Sequence, residues 1–192
     1  MKDYSKIIKT ERLILRKFEL SDAEDVYNNY ASHDEVSKYV TWQTHKSIND
    51  TNAYLNNVVI PDYENEYTYR WAIVLKETGK VIGCIDVVHK NVEKQRAEIG
   101  YVLSDYYWGQ GLMPEAGKAV VKYLFEEGFN RIQALHDEEN PKSGRVMQKI
   151  GMEYEGTLKQ YEKRSDGKFS NCKIYAIIKD WYKNFWHFIF FM

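Results

Sequence analysis

Two glycines one residue apart, Gly109 and Gly111, come directly before a strongly helical pattern in the segment DYYWGQGLMPEA, residues 105–116. The first N–H groups of a helix have no intrahelical partner, and the helix dipole places partial positive charge there. Glycine has no side chain that would keep an anion away from the backbone. The spacing therefore indicates a site where main-chain amides bind a phosphate, and a loop whose glycines serve turn geometry alone fits this stretch equally well.

Two familiar phosphate-binding motifs do not fit this loop. The dinucleotide fingerprint G-x-G-x-x-G needs a third glycine where Pro114 stands. The fingerprint should also follow the first strand of a parallel unit, whereas this loop comes after several antiparallel strands. The Walker A pattern G-x-x-x-x-G-K-[ST] fails as well, because the stretch from Gly111 to Gly117 is one residue too long and Ala119 replaces the hydroxyl residue.

A carboxylate interrupts an otherwise apolar strand pattern just before this loop. Glu98 lies within AEIGYVL, residues 97–103. A carboxylate in a central strand is costly unless it is paired, hydrogen-bonded or reached by water. A salt bridge with Arg96 or solvent at the edge of the sheet accounts for it in structural terms.

The elements that position these residues follow from the hydrophobic periodicity. Helices are predicted at residues 20–32, 47–60, 112–127 and 140–151, and Pro61 is expected to stop the second of them. Strands are predicted at residues 11–18, in a hairpin at 69–90 that turns at 77–80, at 95–104, at 131–138, and in a closing hairpin of 153–164 and 169–182. The order β α α β β β α β α β β predicts an α/β (α+β) fold with a mixed, mostly antiparallel central sheet flanked by helices.

Composition limits the classes of function. The chain has 192 residues without repeat or linker, so one domain over residues 1–183 is expected. A net charge of −1 gives no reason to expect a nucleic-acid partner. Cys84 and Cys172 are too few for a disulfide framework or a zinc site, and the five histidines lack metal-ligand spacing, so no metal is expected. The N-terminal segment has no apolar signal-peptide region, and a cytoplasmic location is therefore expected.

The C-terminal segment NFWHFIFFM, residues 184–192, is almost wholly apolar. It is shorter than the roughly 20 residues that a membrane span needs, so no span is expected. Packing on the body of the protein, self-association into a homodimer, and a cloning artefact all account for it; the first two are favoured, and its role stays unknown.

Three segments together resemble the GNAT superfamily of acetyl-CoA-dependent N-acetyltransferases: AEIGYVLSDYYWGQG (97–111), NPKSGRVMQKIGM (140–152) and TERLILRKFELSDAEDVY (10–27). All three look like its branch of ribosomal-protein N-terminal acetyltransferases and their relatives. The resemblance covers roughly residues 8–182. The family's loop pattern Q/R-x-x-G-x-G/A aligns on Trp108 to Met113 with Gly111 as its central glycine, while Trp108 and Met113 depart from its first and last positions.

The resemblance implies that acetyl-CoA, a co-substrate, lies between two central strands that splay apart. A bulge near Gly100 would free backbone groups for the pantetheine arm, with an N–H near Val102 facing the thioester oxygen. Asn140 is expected to contact the pantetheine, to cap the helix that follows, or both. The implied cofactor-binding residues are Tyr101, Val102, Leu103, Trp108, Gly109, Gln110, Gly111, Leu112, Met113, Asn140 and Ser143.

The resemblance also implies the catalytic groups. Glu98 matches the family's general base, which often acts through water. Many members use a tyrosine to protonate the leaving thiolate, but Met147 stands at that position, and Ser143 on the same helical face is the nearest alternative donor. An exposed polar residue in the first helical turn is the plainer interpretation of Ser143.

The acceptor side is implied to lie between the loop after the first helix and the turn KRSDGKFS, residues 163–170, with Tyr39 and Trp42 as substrate-binding residues. The expected reaction is direct attack of a primary amine on acetyl-CoA in a ternary complex. The amine is a protein N-terminal α-amine or a small amine. An α-amine has a pKa of about 8 and therefore needs only a modest base. A non-catalytic module that binds acyl-CoA as a sensor or scaffold, and a transferase for a longer acyl group, are the alternatives.

Overall fold

The central element is one eight-stranded sheet, seen in a computed structural model that describes residues 3–180. The apolar segment 184–192 lies outside the described residues. The spatial order of the strands is β1-β2-β3-β4-β5-β6-β8-β7, and within it only β5 and β6 are parallel. The strands are β1 (Ile8–Lys9), β2 (Leu13–Arg16), β3 (Arg70–Leu75), β4 (Val81–Asn91), β5 (Arg96–Leu103), β6 (Arg131–Asp137), β7 (Glu153–Lys163) and β8 (Phe169–Ile178). The predicted mixed, mostly antiparallel sheet is confirmed.

Helices cover both faces of this sheet. They are α1 (Ala23–Val26), α2 (Asp34–Ser37), α3 (Ile48–Tyr54), α4 (Ile60–Asp62), α5 (Leu112–Glu126) and α6 (Pro141–Ile150). A 3₁₀ turn, Leu20–Asp22, precedes α1, and π-helical turns follow α1 at Tyr27–Ala31 and α3 at Leu55–Val59.

Three local predictions needed correction. The strand predicted at 11–18 is β2, which spans Leu13–Arg16, and the separate strand β1 at Ile8–Lys9 was not predicted. The short helix α2 was not predicted. Pro61 does not end the second helical region, which continues to Asp62. Proline stands in the first turn of α4, directly after the π-turn Leu55–Val59, where the regular α-helical hydrogen-bond pattern is already interrupted.

Two apolar clusters hold the helices on the sheet. One joins α5 and α6 to a face that includes Trp71, Ile85 and Ile99. The other joins α1 and the π-turns to the opposite face through Ala72 and Val74. Because side chains alternate along a strand, β5 sends Ala97, Ile99, Tyr101 and Leu103 to the α5–α6 face and Glu98, Gly100 and Val102 to the α1–α4 face.

Strands β5 and β6 separate soon after they begin. They pair only at Arg96↔Arg131, Ala97↔Ile132 and Glu98↔Gln133, although β5 continues to Leu103 and β6 to Asp137. The edge of β5 beyond Glu98 therefore has no β6 partner.

The expected bulge lies on the neighbouring strand rather than at Gly100. Val87 pairs with Ile99 and His89 with Glu98, so the extra residue is Val88 of β4. A Cβ on Gly100 would lie 2.9 Å from Val88 Cγ1, which is too close. Glycine at this position therefore makes room for the bulged Val88.

Candidate active site

A cavity of about 620 Å³ opens between the end of β5, the loop that leads into α5, and the first turns of α6. The chain segment from α2 to Val40 forms its remaining wall. Most residues predicted from the sequence to bind substrate or cofactor line it: Tyr39, Tyr101, Val102, Leu103, Trp108, Gly109, Gly111, Leu112, Met113, Asn140 and Ser143. Gln110, Glu98 and Trp42 are not among its lining residues.

The loop before α5 presents a row of free backbone donors. Gly109 and Gly111 have φ of +80° and +79°, in the left-handed region that favours glycine, and Gly111 is the N-cap of α5. Within residues 3–180, the N–H groups of residues 109–113 make no hydrogen bond. The buried side chains of Leu112 and Met113 fix the start of the helix in the core. The arrangement can therefore bind an anion at the N-terminus of a 15-residue helix.

Three cations on α6 face the same cavity and were missed by the sequence analysis. Lys142, Arg145 and Lys149 all line it. Their spacing of three and four residues places them along one side of a helix, and this signal was present in the sequence. Lys142 Nζ lies 4.3 Å from the centroid of the Trp108 ring, which holds this cation beside the glycine loop.

The backbone of β5 divides its groups between β4 and the gap. Ser104 N donates to Ile82 O at 2.8 Å, so in this antiparallel register the main chain of Val102 also faces β4. The N–H groups of Tyr101 and Leu103 face the gap, while the Leu103 carbonyl accepts a hydrogen bond from Trp108 Nε1 at 2.8 Å. The N–H expected near Val102 is therefore that of a neighbouring residue, and Val102 itself lines the cavity without presenting its main chain.

A hydroxyl pair lies at the wall of the cavity. Tyr101 Oη is 2.9 Å from Ser143 Oγ and donates to the Ser143 carbonyl oxygen, also at 2.9 Å. Burial raises the pKa of the Tyr101 hydroxyl well above its ordinary value, against the opposing effect of the Ser143 hydrogen bond. Asn140 caps α6, since its side chain accepts from Ser143 N at 3.4 Å. Tyr101 was expected to act through its main chain only, and the contact of its hydroxyl with Ser143 was not predicted.

Two carboxylates occupy the α1–α4 face where the strands separate. Gln133 Nε2 donates to Glu98 Oε2 at 2.8 Å on the last paired rung, and Glu98 forms no ion pair with Arg96 or with any other described residue. Asp86, which the sequence analysis missed, stands opposite Gly100 on β4 and accepts from Arg70 Nε at 3.1 Å. Burial raises the pKa of Asp86, and the Arg70 charge opposes this effect.

The two segments expected to border the acceptor contact each other. The Arg164 guanidinium lies 5.4 Å from the centroid of the Tyr39 ring, and Ser165 N donates to Val40 O at 3.4 Å. Arg164 is itself held by Asp137 on β6, with Nη2 to Oδ1 at 2.7 Å. Trp42 instead packs against the apolar cluster of α1 and the π-turns, away from the cavity wall.

Residues 3–180 contain no group of three or more His, Cys, Asp or Glu side chains arranged to hold a metal ion. No helix among them has the length and apolar character needed to cross a membrane.

Comparison with known proteins agrees with this geometry. Residues 12–153 match the family model described as the acetyltransferase (GNAT) domain. The N-acetyltransferase p20 of Bacillus licheniformis, itself uncharacterized, is 34% identical over 171 residues, which are 88% of this chain and 94% of that protein. The crystal structure of a GNAT-family acetyltransferase from Bacillus anthracis is 32% identical and has a TM-score of 0.78, covering 91% of this chain and 99% of that one. The RimL ribosomal L7/L12 α-N-protein acetyltransferase in complex with coenzyme A shares the fold, with a TM-score of 0.80 at 22% identity, covering 91% of this chain and 99% of that one. The chain therefore belongs to the GNAT family of N-acetyltransferases.

Proposed function

We propose that this enzyme transfers the acetyl group of acetyl-CoA to a primary amine, either a protein N-terminal α-amine or a small amine, by direct attack in a ternary complex. The observation that carries the proposal is the cavity, in which free backbone amides, α6 cations and the unpaired edge of β5 converge. Acetyl-CoA supplies the acyl group as a thioester. The related RimL structure, which contains coenzyme A, supports a cofactor site of this kind.

The residues of the cavity fit the three chemical parts of this substrate. The N–H groups of residues 109–113 would bind the diphosphate, and the cationic side of α6 would add long-range attraction for its charge. The free N–H groups of Tyr101 and Leu103 would hold the amide-rich pantetheine arm, with Asn140 near it. Trp108 would wall the cavity through its ring while its indole N–H fixes the end of β5.

Proton transfer would involve a carboxylate and a hydroxyl pair. Glu98 would accept a proton from the attacking amine, through water, because it lies at the point where the strands separate and keeps one oxygen free of Gln133. Ser143 would act as proton donor or hydrogen-bond partner to the leaving sulfur, and solvent would return any proton that it gives up. Tyr101, which stays protonated and lies 2.9 Å from Ser143 Oγ, would orient that hydroxyl.

The acceptor class rests on relatives and on charge. The ribosomal-protein-serine acetyltransferase of Escherichia coli is 31% identical over 109 residues, which are 56% of this chain, and the spermidine N(1)-acetyltransferase of the same species is 29% identical over 100 residues. The first name specifies a serine of a ribosomal protein, and the second specifies a nitrogen of spermidine. Asp86 and Glu98 on the acceptor face would attract a cationic amine, and Tyr39 would border it.

The test compares matched acceptors with purified protein and acetyl-CoA. Peptides with a free N-terminal serine or alanine, the same peptides blocked at the N-terminus, and spermidine are incubated separately. Mass spectrometry then detects the gain of one acetyl group. The proposal predicts modification of a free-amine substrate and none of the blocked peptides. Absence of modification in every arm, with free thiol release no faster than that of buffer, would overturn it.

A further inference from the structure

The turn between β1 and β2 reaches across the sheet to the glycine loop. Arg12 Nη1 donates to the Gln110 carbonyl oxygen at 2.9 Å, over 98 positions of sequence. Its Nε and Nη2 both contact Glu115 Oε2 at 2.7 Å, so the guanidinium bridges the loop and the first turns of α5. The motif TER, residues 10–12, therefore contacts the loop directly, a link that its strand pattern did not suggest.

Although Arg12 lies outside the cavity, its hydrogen bond fixes the direction of an amide inside the cavity, because of the geometry of the peptide bond. In a trans peptide, the carbonyl of one residue and the N–H of the next point in opposite directions, and the described chain has no cis peptide. Because Arg12 holds the Gln110 carbonyl, the Gly111 N–H in the same peptide plane points away from Arg12. Gly111 lines the cavity, whereas Gln110 and Arg12 do not. The hydrogen bond from Arg12 thus aims the central amide of the loop into the cavity.

Glu115, the carboxylate that holds Arg12, accepts hydrogen bonds at both of its oxygens. Glu115 Oε1 accepts from Arg12 N at 2.8 Å and from Thr10 Oγ1 at 2.6 Å, while Oε2 takes the guanidinium. Burial acts to raise the pKa of Glu115, but the hydrogen bonds from Thr10 and Arg12 outweigh it, and the pKa is lowered. The carboxylate therefore stays charged and keeps the Arg12 fork in one orientation.

We propose that Arg12 is a positioning residue for the diphosphate of the acyl donor, acting through the peptide between Gln110 and Gly111. This inference rests on the proposed function, because it assigns Arg12 a role at the same cofactor site. Arg12 touches neither substrate nor reacting atoms. Its effect is confined to the part of the donor that the loop binds, and it does not extend to the acyl group or the amine.

The experiment compares two donors on the wild type and three variants. Acetyl-CoA carries the diphosphate, whereas S-acetylpantetheine lacks it. For Arg12→Gln we expect about a tenfold rise in the KM for acetyl-CoA and in the Kd for coenzyme A, with little change in kcat. We expect kcat/KM with S-acetylpantetheine to equal that of the wild type. Arg12→Lys should not restore coenzyme A affinity, because an ammonium group cannot bridge the Gln110 carbonyl and Glu115 as the planar fork does.

Lys76→Gln is the matched control. Lys76 Nζ donates to the carbonyl oxygens of Thr10 and Glu11, so the variant loosens the same turn without touching the loop. Its coenzyme A affinity should stay at the wild-type value. Wild-type affinity in Arg12→Gln would overturn the proposal, and so would an equal loss with both donors, which would indicate a general structural role. Failure of the proposed function looks different, since the wild-type protein itself would then bind no coenzyme A.

Discussion

Replacing Glu98 by glutamine isolates the charge of the proposed base. The side chain keeps its size, and its amide oxygen can still accept the 2.8 Å hydrogen bond from Gln133 Nε2. No ion pair of Glu98 with a described residue is lost. We therefore expect the free energy of unfolding in urea to change by less than about 1 kcal/mol.

The expected rate loss depends on the acceptor. A positioned base contributes about 10²- to 10⁴-fold. An α-amine with a pKa near 8 is about one tenth neutral at pH 7 and about nine tenths neutral at pH 9. For such an acceptor, kcat/KM of Glu98→Gln should fall about 100-fold at pH 7, and the deficit should shrink about tenfold by pH 9. For a lysine-like amine, which is neutral in only about one molecule in 2,500 at pH 7, the loss at pH 7 should lie nearer the upper end of the range.

The assay follows thiol release from acetyl-CoA at both pH values. Glu138→Gln is the control, because Glu138 also accepts from a side-chain amide, Asn171 Nδ2 at 3.1 Å, but does not line the cavity. Its kcat/KM should match that of the wild type. A folded Glu98→Gln protein whose kcat/KM at pH 7 lies within about twofold of the wild type would refute the role of Glu98 as base.

Four further variants test other parts of the site and of the segments beside it. Tyr101→Phe removes the hydrogen bonds to Ser143, so urea denaturation should show a loss of about 1 kcal/mol and turnover should fall, as it should in Ser143→Ala. For Asp137, burial raises the pKa but the hydrogen bonds from Arg164 outweigh it, so the pKa is lowered. This carboxylate stabilises the fold above its unfolded-state pKa, and the stabilisation is lost as the pH falls through the folded-state pKa. The difference in free energy of unfolding between wild type and Asp137→Asn should therefore be large at pH 7 and small in acid. The pKa of Asp86 is raised by burial, so its protonation should add to the decline of kcat/KM as the pH falls through that raised value. Asp86→Asn should lack this contribution, so that its kcat/KM declines less steeply in acid, and it should bind coenzyme A as the wild type does.

Local patterns explain how much of the fold was predictable. Helices α5 and α6 begin and end within about two residues of their predicted bounds, because periodicity, Pro114, Pro141 and the terminal glycines act within one or two turns. The π-turns and α2 were not predicted, since packing on the sheet rather than propensity determines them. Pro61 was misjudged because its effect depends on where a new helical turn begins.

In the candidate site too, features that depend on adjacent residues could be predicted, and features that depend on distant segments could not. The glycine loop could be predicted because glycines with a left-handed φ and the start of a helix follow one another directly in the sequence. Asp86, the Tyr101 hydroxyl and the Arg12 contact could not, because each depends on how distant segments meet. Asp86 reaches the site through its register with Gly100, and Arg12 through the position of a turn nearly a hundred residues earlier.

The central claim is that the backbone amides of residues 109–113 bind the diphosphate of coenzyme A. Its most direct test is a titration of ¹⁵N-labelled protein, followed through the amide resonances of Gly109 and Gly111, with coenzyme A in one arm and pantetheine in the other. We predict large shifts of both resonances with coenzyme A and little change with pantetheine. Unmoved glycine resonances at saturating coenzyme A would contradict the claim, and so would equal shifts with both ligands.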